Sequence, residues 1–209
     1  MKNKNVLVLA PHTDDGEFGC GGTMARLLEE GHNVFYVAFS ICKDSVPEGY
    51  PKNILDTECR KAMSVFGIED KSITVLDYPV REFDSHRQEI LDDMLKISRK
   101  VEPSIVFAPS VHDIHQDHNV IAVEAMRAFK NMTLYAYEVP WNNFTFSNQV
   151  FFKLEKRHVE RKRKAIECYE TQVGRPYSSE EFTYSQVRYH GAQVKCEYAE
   201  VFEVVRTVI

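Results

Sequence analysis

Runs of consecutive apolar residues recur along this chain, at Val6–Ala10, Val34–Phe39, Ile73–Leu76, Ile105–Ala108 and Leu134–Tyr137, and the stretches between them carry apolar residues at helical spacing. A strand that is apolar at every position has both faces covered, the condition of a parallel strand with helices above and below it. Strand, helix, strand repeated in this way predicts a single-domain α/β fold: a Rossmann-like, doubly wound, mostly parallel sheet with helices on both faces and right-handed crossovers.

The helical segments have readable ends. One is expected over about Gly21–Glu30, stopping at Gly31, where glycine accepts the left-handed backbone that closes a helix, and a similar stop falls at Gly67. Leu55, Ala62, Met63 and Phe66 gather on one face of a second helix, and Ile90, Leu91, Met94, Leu95 and Ile97 on one face of a third over Arg87–Val101. A fourth begins near Asp117, a charged one spans about Leu154–Thr171, and Tyr198–Val208 returns to strand-like composition. No break in composition divides residues 1–209, so one domain is expected across them.

Charge and composition narrow the partners. With 26 basic and 31 acidic side chains the formal charge is −5, which argues against a surface built to neutralise nucleic-acid phosphates. No stretch approaches the roughly 18 apolar residues of a membrane span, and Val6–Ala10 is too short for a signal-peptide core, so a soluble, cytoplasmic protein is expected. Five scattered cysteines without a Cys-x-x-Cys pair read as reduced and structural, Cys20 as a small packing residue. In that compartment the sequons at Asn131 and Asn143 are chance matches.

The chemistry gathers at two strand ends. His12, Asp14 and Asp15 directly follow the first apolar run, and His112, His115, Asp117 and His118 follow the run at 105–108. In an open parallel sheet the loops leaving the carboxyl ends of the strands converge on one crevice, so the two clusters can meet. Two imidazoles and a carboxylate form a standard catalytic zinc set with one position left for water. His12, Asp15 and His118 can supply it. Asp14 is then left beside the metal as a general base, and His115 is placed to steady an oxyanion and protonate a leaving amine, with Asp117 orienting it and raising its pKa. His112 reads as a loop residue. The same donor set also suits ferrous iron, and a third reading is a non-catalytic sugar- or nucleotide-binding module in which the clusters only cap loops. Gly19, Gly21 and Gly22 resemble part of a dinucleotide turn, but Met24 stands where its third glycine belongs. They are expected instead to let the backbone pass close beneath the metal loop before the helix starts.

The string Pro11-His12-Thr13-Asp14-Asp15-Gly16-Glu17-Phe18-Gly19-Cys20-Gly21-Gly22, with His115-Gln116-Asp117-His118, resembles the PIG-L/LmbE-like family of zinc-dependent de-N-acetylases. The resemblance extends through Glu58, Ala62 and Gly67, Lys164-Ala165-Ile166 with Gln172, and Tyr198–Phe202. It implies that His12, Asp15 and His118 bind zinc, that Asp14 is the base, and that His115 plays the role given above. It also implies hydrolysis of the acetamide of an N-acetylglucosamine-type conjugate, with a nucleotide- or lipid-linked N-acetyl sugar of a surface polysaccharide as the expected substrate. Thr13 and Gln116 replace common prolines, and Leu55 stands where many members carry an arginine that contacts substrate. The ligand set is untouched by these departures; the thiol-pathway and inositol-linked substrates are disfavoured. A homo-oligomer is compatible with the sequence.

Three further features are expected around the site. Trp141, the sole tryptophan, follows a strand end and can either stack on a sugar face, with Asn142 or Asn143 bonding its hydroxyls, or serve core and loop packing. Arg81, His86 and Arg87 follow the third strand and can grip a phosphate or carboxylate, Arg87 being included among the substrate contacts, while helix-start salt bridges explain them equally well. The basic run Glu155–Lys164 reads as a solvated helix face.

Overall fold

A computed structural model describes residues 3–209. Positions 1 and 2 of the expected 1–209 domain lie outside the described residues. Strands β1 (Asn5–His12), β2 (Asn33–Ser40), β3 (Ile73–Val75), β4 (Ile105–Pro109), β5 (Thr133–Tyr137), β6 (Val150–Leu154) and β7 (Tyr198–Arg206) form one sheet in the order β3-β2-β1-β4-β5-β7-β6. The first five are parallel; β7 runs antiparallel to β5, and β6 antiparallel to β7. The helices are α1 (Asp15–Glu29), α2 (Ile54–Phe66), α3 (Arg87–Val101), α4 (Gln116–Ala128), α5 (Lys156–Ile166) and α6 (Glu180–Gln193).

The alternation of β1 explains the layering. Val6, Val8 and Ala10 point to the side covered by α1, α2 and α5, where Cys20, Met24, Cys59, Met63 and Ala165 meet them, while Leu7 and Leu9 point to the side of α3 and α4, onto Ile90, Met94, Ile121 and Ala125. Both faces are therefore dry, and the run had to be apolar throughout. The chain travels outward from β1 through β2 to β3, then returns to place β4 on the other flank of β1. The sheet thus switches direction between β1 and β4, the position where a doubly wound sheet opens a crevice at its carboxyl edge.

Three expectations change. The first helix begins at Asp15, and the helical path breaks at Cys20 (φ −145°), so the segment read from Gly21 is its second half. The break frees the Phe18 carbonyl, which accepts a hydrogen bond from Lys162 Nζ at 2.7 Å; the renewed start at Gly22 and Thr23 donates its N–H groups to the Glu200 carboxylate. The glycines therefore lie inside the helix and serve close approach: a Cβ on Gly19 would stand 2.2 Å from the Tyr137 ring, and one on Gly16 2.5 Å from Tyr36. Second, the basic run is only partly solvated, since Lys162 is buried against Glu200 and His158 against Glu29. Third, β6 and α6 have no counterpart in the sequence reading. The five free cysteines form no disulfide, and Cys20 is fully buried. Among the described residues no helix is long and apolar enough to cross a membrane.

Candidate active site

The carboxyl ends of β1 and β4 carry the two clusters to one place. His12 is the last residue of β1, and its backbone N–H donates to the Asp15 carboxylate at 2.8 Å, folding the turn back at the first residue of α1. On the other flank, His115 caps α4 and His118 lies in its first turn. His12 Nδ1, Asp15 Oδ2 and His118 Nε2 stand 3.2 Å from one another in all three pairings. Four donors tetrahedrally bound at about 2.0–2.1 Å to a zinc ion are separated by about 3.3 Å, so the triangle matches one face of such a shell. The imidazoles of His12, His115 and His118 also lie close enough to share an ion. The donor chemistry fits a divalent metal.

The outer nitrogens are as well placed as the inner ones. His12 Nε2 donates to Asp117 at 3.0 Å, and His118 Nδ1 donates to Asp113 at 2.7 Å. A carboxylate behind each ring fixes its orientation, so that the other nitrogen faces the centre and, once deprotonated, can offer its lone pair there. Asp113 is only 4% exposed and also accepts the His115 N–H. It was not singled out from sequence, although an aspartate two residues before one histidine and five before another, in a loop leaving a strand, was the available signal.

The charges are strongly coupled. Burial alone would lower the pKa of His118, but the charges and hydrogen bonds of Asp15 and Asp113 prevail and raise it to about 10. Burial also opposes protonation of His12, and Asp117 and Asp15 likewise outweigh it. Asp15 is held well below the usual carboxylate range, burial being overcome by the His118 and His12 partners. Asp14 behaves oppositely: burial, reinforced by the neighbouring Asp15 charge, pushes it up to about 6. It occupies the cap position of α1, yet its side chain makes no capping hydrogen bond. Its carboxylate instead lines the pocket.

Asp117 does not do what its sequence position suggested. Its carboxylate serves His12 and the N–H groups of Arg81 and Phe83, while it is the Asp117 backbone N–H that donates to His115 Nδ1. The His115 pKa is lowered rather than raised, by burial and then by the charges of His118 and His12. With Nδ1 accepting, the proton of the neutral ring sits on Nε2.

A cavity of about 350 Å³ opens over this cluster, lined by Trp141 and Asn142 together with Arg81, Leu55, Gln172, Arg175 and Tyr177. Trp141 is stacked on Tyr177 with centroids 3.9 Å apart, and Phe18 meets it edge-on. Asn143 instead accepts the Val139 N–H, which shapes the loop. Arg87 is not a pocket residue: its guanidinium is held by buried Glu124 across α3 and α4. His86 bonds Glu89, and His112 is exposed. Glu58 accepts the N–H and hydroxyl of Thr171, which anchors the turn that carries Gln172. Tyr36, Tyr169 and Glu17, which sequence reasoning also missed, converge beneath the Thr13–Asp14 turn: both phenols contact the Thr13 carbonyl and the Glu17 carboxyl.

A doubly wound α/β sheet whose switch point holds paired imidazoles and carboxylates defines a class of single-domain enzymes, and comparison narrows it. The pattern of the PIG-L family, GlcNAc-PI de-N-acetylase, matches residues 7–129, and the chain belongs to that family. It is 26% identical over 175 residues to the uncharacterized deacetylase YaiS of Escherichia coli, covering 79% of this chain and 90% of that protein. The fold is shared with the N,N'-diacetylchitobiose deacetylase of Pyrococcus horikoshii (TM-score 0.82, 23% identity, 98% of this chain and 84% of that one). It is shared as closely with the 4-carboxy-2-hydroxymuconate hydratase of Pseudomonas putida (TM-score 0.81, 20% identity, 99% and 98%), so the fold by itself does not fix the reaction.

Proposed function

We propose that residues 1–209 act as one metal-dependent deacetylase domain that hydrolyses the acetamide of a 2-acetamido sugar of the N-acetylglucosamine type, free or linked to a nucleotide or lipid. The observation that carries this reading is the 3.2 Å triangle of His12 Nδ1, Asp15 Oδ2 and His118 Nε2, backed by Asp117 and Asp113, with an uncapped Asp14 beside it. Family membership supports deacetylation, and the family description supports N-acetylglucosamine.

Those three residues would hold zinc or ferrous iron, which when bound supplies Lewis acidity to a water and to the acetamide carbonyl. Asp14 accepts the proton that the attacking water releases. In the metal-free protein burial and the Asp15 charge raise its pKa to about 6, so it is ionised at neutral pH, the state in which it can accept a proton. The water oxygen bonds to the acetyl carbon and the C–N bond breaks. Both water protons end on the amine, the first by way of Asp14, and acetate leaves. His115, neutral with its proton on Nε2, donates a hydrogen bond to the carbonyl oxygen as negative charge develops there. Asp117 acts through His12, as a positioning residue. Trp141 and Asn142 border the sugar.

The test pairs metal analysis with acetate release from a panel of N-acetylhexosamines. Asp14→Asn is expected to retain stoichiometric metal and lose about 10²–10⁴ of turnover. Asp15→Ala is expected to lose the metal itself. Equal metal loss in both variants would refute the division of roles, and a purified protein that takes up no metal would refute the reading.

A further inference from the structure

Six of the twelve arginines, Arg26, Arg60, Arg87, Arg127, Arg157 and Arg163, each face a carboxylate within 4 Å. The two that line the pocket do not. Among the described contacts Arg81 donates from its guanidinium to Ser45 Oγ at 3.1 Å, and Arg175 to the Tyr177 hydroxyl at 2.5 Å; neither forms an ion pair. They come from separate segments, the loop after β3 and the turn after α5, and they border one cavity.

Neither is a freely swinging surface residue at its root. Arg81 holds a left-handed backbone (φ +69°), a conformation that non-glycine residues adopt only where the surroundings impose it. Here its N–H donates to Asp117 at 2.6 Å and its carbonyl accepts the Gln116 side chain at 2.5 Å. The carboxylate that orients His12 therefore also fixes where Arg81 departs, tying the cation to the reaction centre. Arg175 lies 5.8 Å over the Tyr177 ring, which in turn stacks on Trp141. It is near enough to Asp14 for its charge to favour the ionised carboxylate.

Two guanidinium forks without carboxylate partners would lose hydration when a sugar fills the cavity, and a neutral sugar brings no charge to offset that loss. A phosphate or carboxylate on the sugar does, and the fork geometry matches either group. Resting on the deacetylase reading of the same site, we propose that Arg81 and Arg175 form an oxyanion clamp that selects 2-acetamido sugars carrying a phosphate or carboxylate over their neutral counterparts.

The test compares N-acetylglucosamine with its 1-phosphate, its 6-phosphate and N-acetylmuramic acid, so that phosphate, carboxylate and position are separated. Acetate release by the metal-loaded enzyme gives kcat/KM for each, and calorimetric titration of the metal-free protein gives Kd. At least one acidic sugar is expected to exceed N-acetylglucosamine by about tenfold or more in both measures. In the double variant Arg81→Gln, Arg175→Gln that ratio should fall to about twofold or less, and Arg99→Gln, on the exposed end of α3, should leave it where it was. Equal efficiency on acidic and neutral sugars, or a preference that survives the double variant, overturns the clamp. If no sugar releases acetate from the metal-loaded enzyme, small unconjugated sugars are excluded as substrates of the deacetylase reading. The binding ratio then decides the clamp, and acidic sugars that bind no tighter than N-acetylglucosamine sink it.

Discussion

On the sheet side of the pocket, His12 and His118 each use both ring nitrogens inside the protein, one toward the shared centre and one toward Asp117 or Asp113. On the loop side, Arg81, Trp141, Arg175 and Tyr177 come from three separate connections, are half-exposed or exposed, and include guanidinium groups with only hydroxyl partners. The first wall rests on strand ends and helix starts, so its geometry is fixed by the sheet; the second hangs on segments free to vary without disturbing the core. The lesson is a division of labour. On the proposed reading, chemistry is held by the rigid half, and choice of substrate by the half that the scaffold constrains least.

That contrast predicts effects of different kind and size. The strongest is on metal uptake. In the metal-free protein His118 keeps a proton up to about pH 10, and His12 is also raised, so an incoming ion must displace protons. Affinity should therefore rise about tenfold per pH unit between pH 6 and 8 from the His118 proton alone, with proton release visible in a weakly buffered titration. A pH-independent affinity would break the sheet-side half of the comparison. Next, Asp113→Asn leaves every direct donor in place but weakens the support behind His118, and metal affinity should fall about 10–100-fold. On the loop side, Trp141→Ala should raise KM about tenfold, with metal content unchanged, because it removes an aromatic wall and not a donor. Loss of metal in that variant would show that the two walls are not separable.

The smallest effect concerns the support beneath the catalytic turn. Burial pushes Glu17 up to about 8, against the opposing hydrogen bonds of Tyr36 and Tyr169. A carboxyl raised in the folded state is still protonated there while the unfolded chain has already ionised, so it makes stability fall as pH climbs from about 4.5 through 8. Glu17→Gln has no proton to lose. Its melting temperature should change less with pH than that of the parent across this range. Parallel melting curves across that range would contradict the assignment.

How much could be read beforehand follows the same line. The parallel strands were legible because burial on both faces demands apolar residues at consecutive positions, and the convergence of His12, Asp14 and Asp15 with His115 and His118 was legible because the two clusters follow the carboxyl ends of neighbouring strands. α6 was not: its buried positions are Thr183, Val187, His190 and Gly191, a set with little apolar contrast to mark a face. β6 lies at the sheet edge and is only partly buried, so its alternation is weak. Arg87 was misread because Glu124, its partner, lies 37 residues away and only the packing of α3 on α4 joins them. Asp117 was assigned to the wrong histidine because a residue in the first turn of a helix offers its backbone to the cap and its side chain elsewhere. Arg175 belongs to a turn whose approach to the site depends on the Glu58–Thr171 contact between distant segments.

The most direct test is anomalous diffraction from crystals of the protein loaded with one equivalent of zinc. A single strong peak about 2.0–2.2 Å from His12 Nδ1, an Asp15 oxygen and His118 Nε2, with Asp14 uncoordinated, is the predicted result. A peak bound through His115 in place of Asp15, or no peak between β1 and β4, would contradict it.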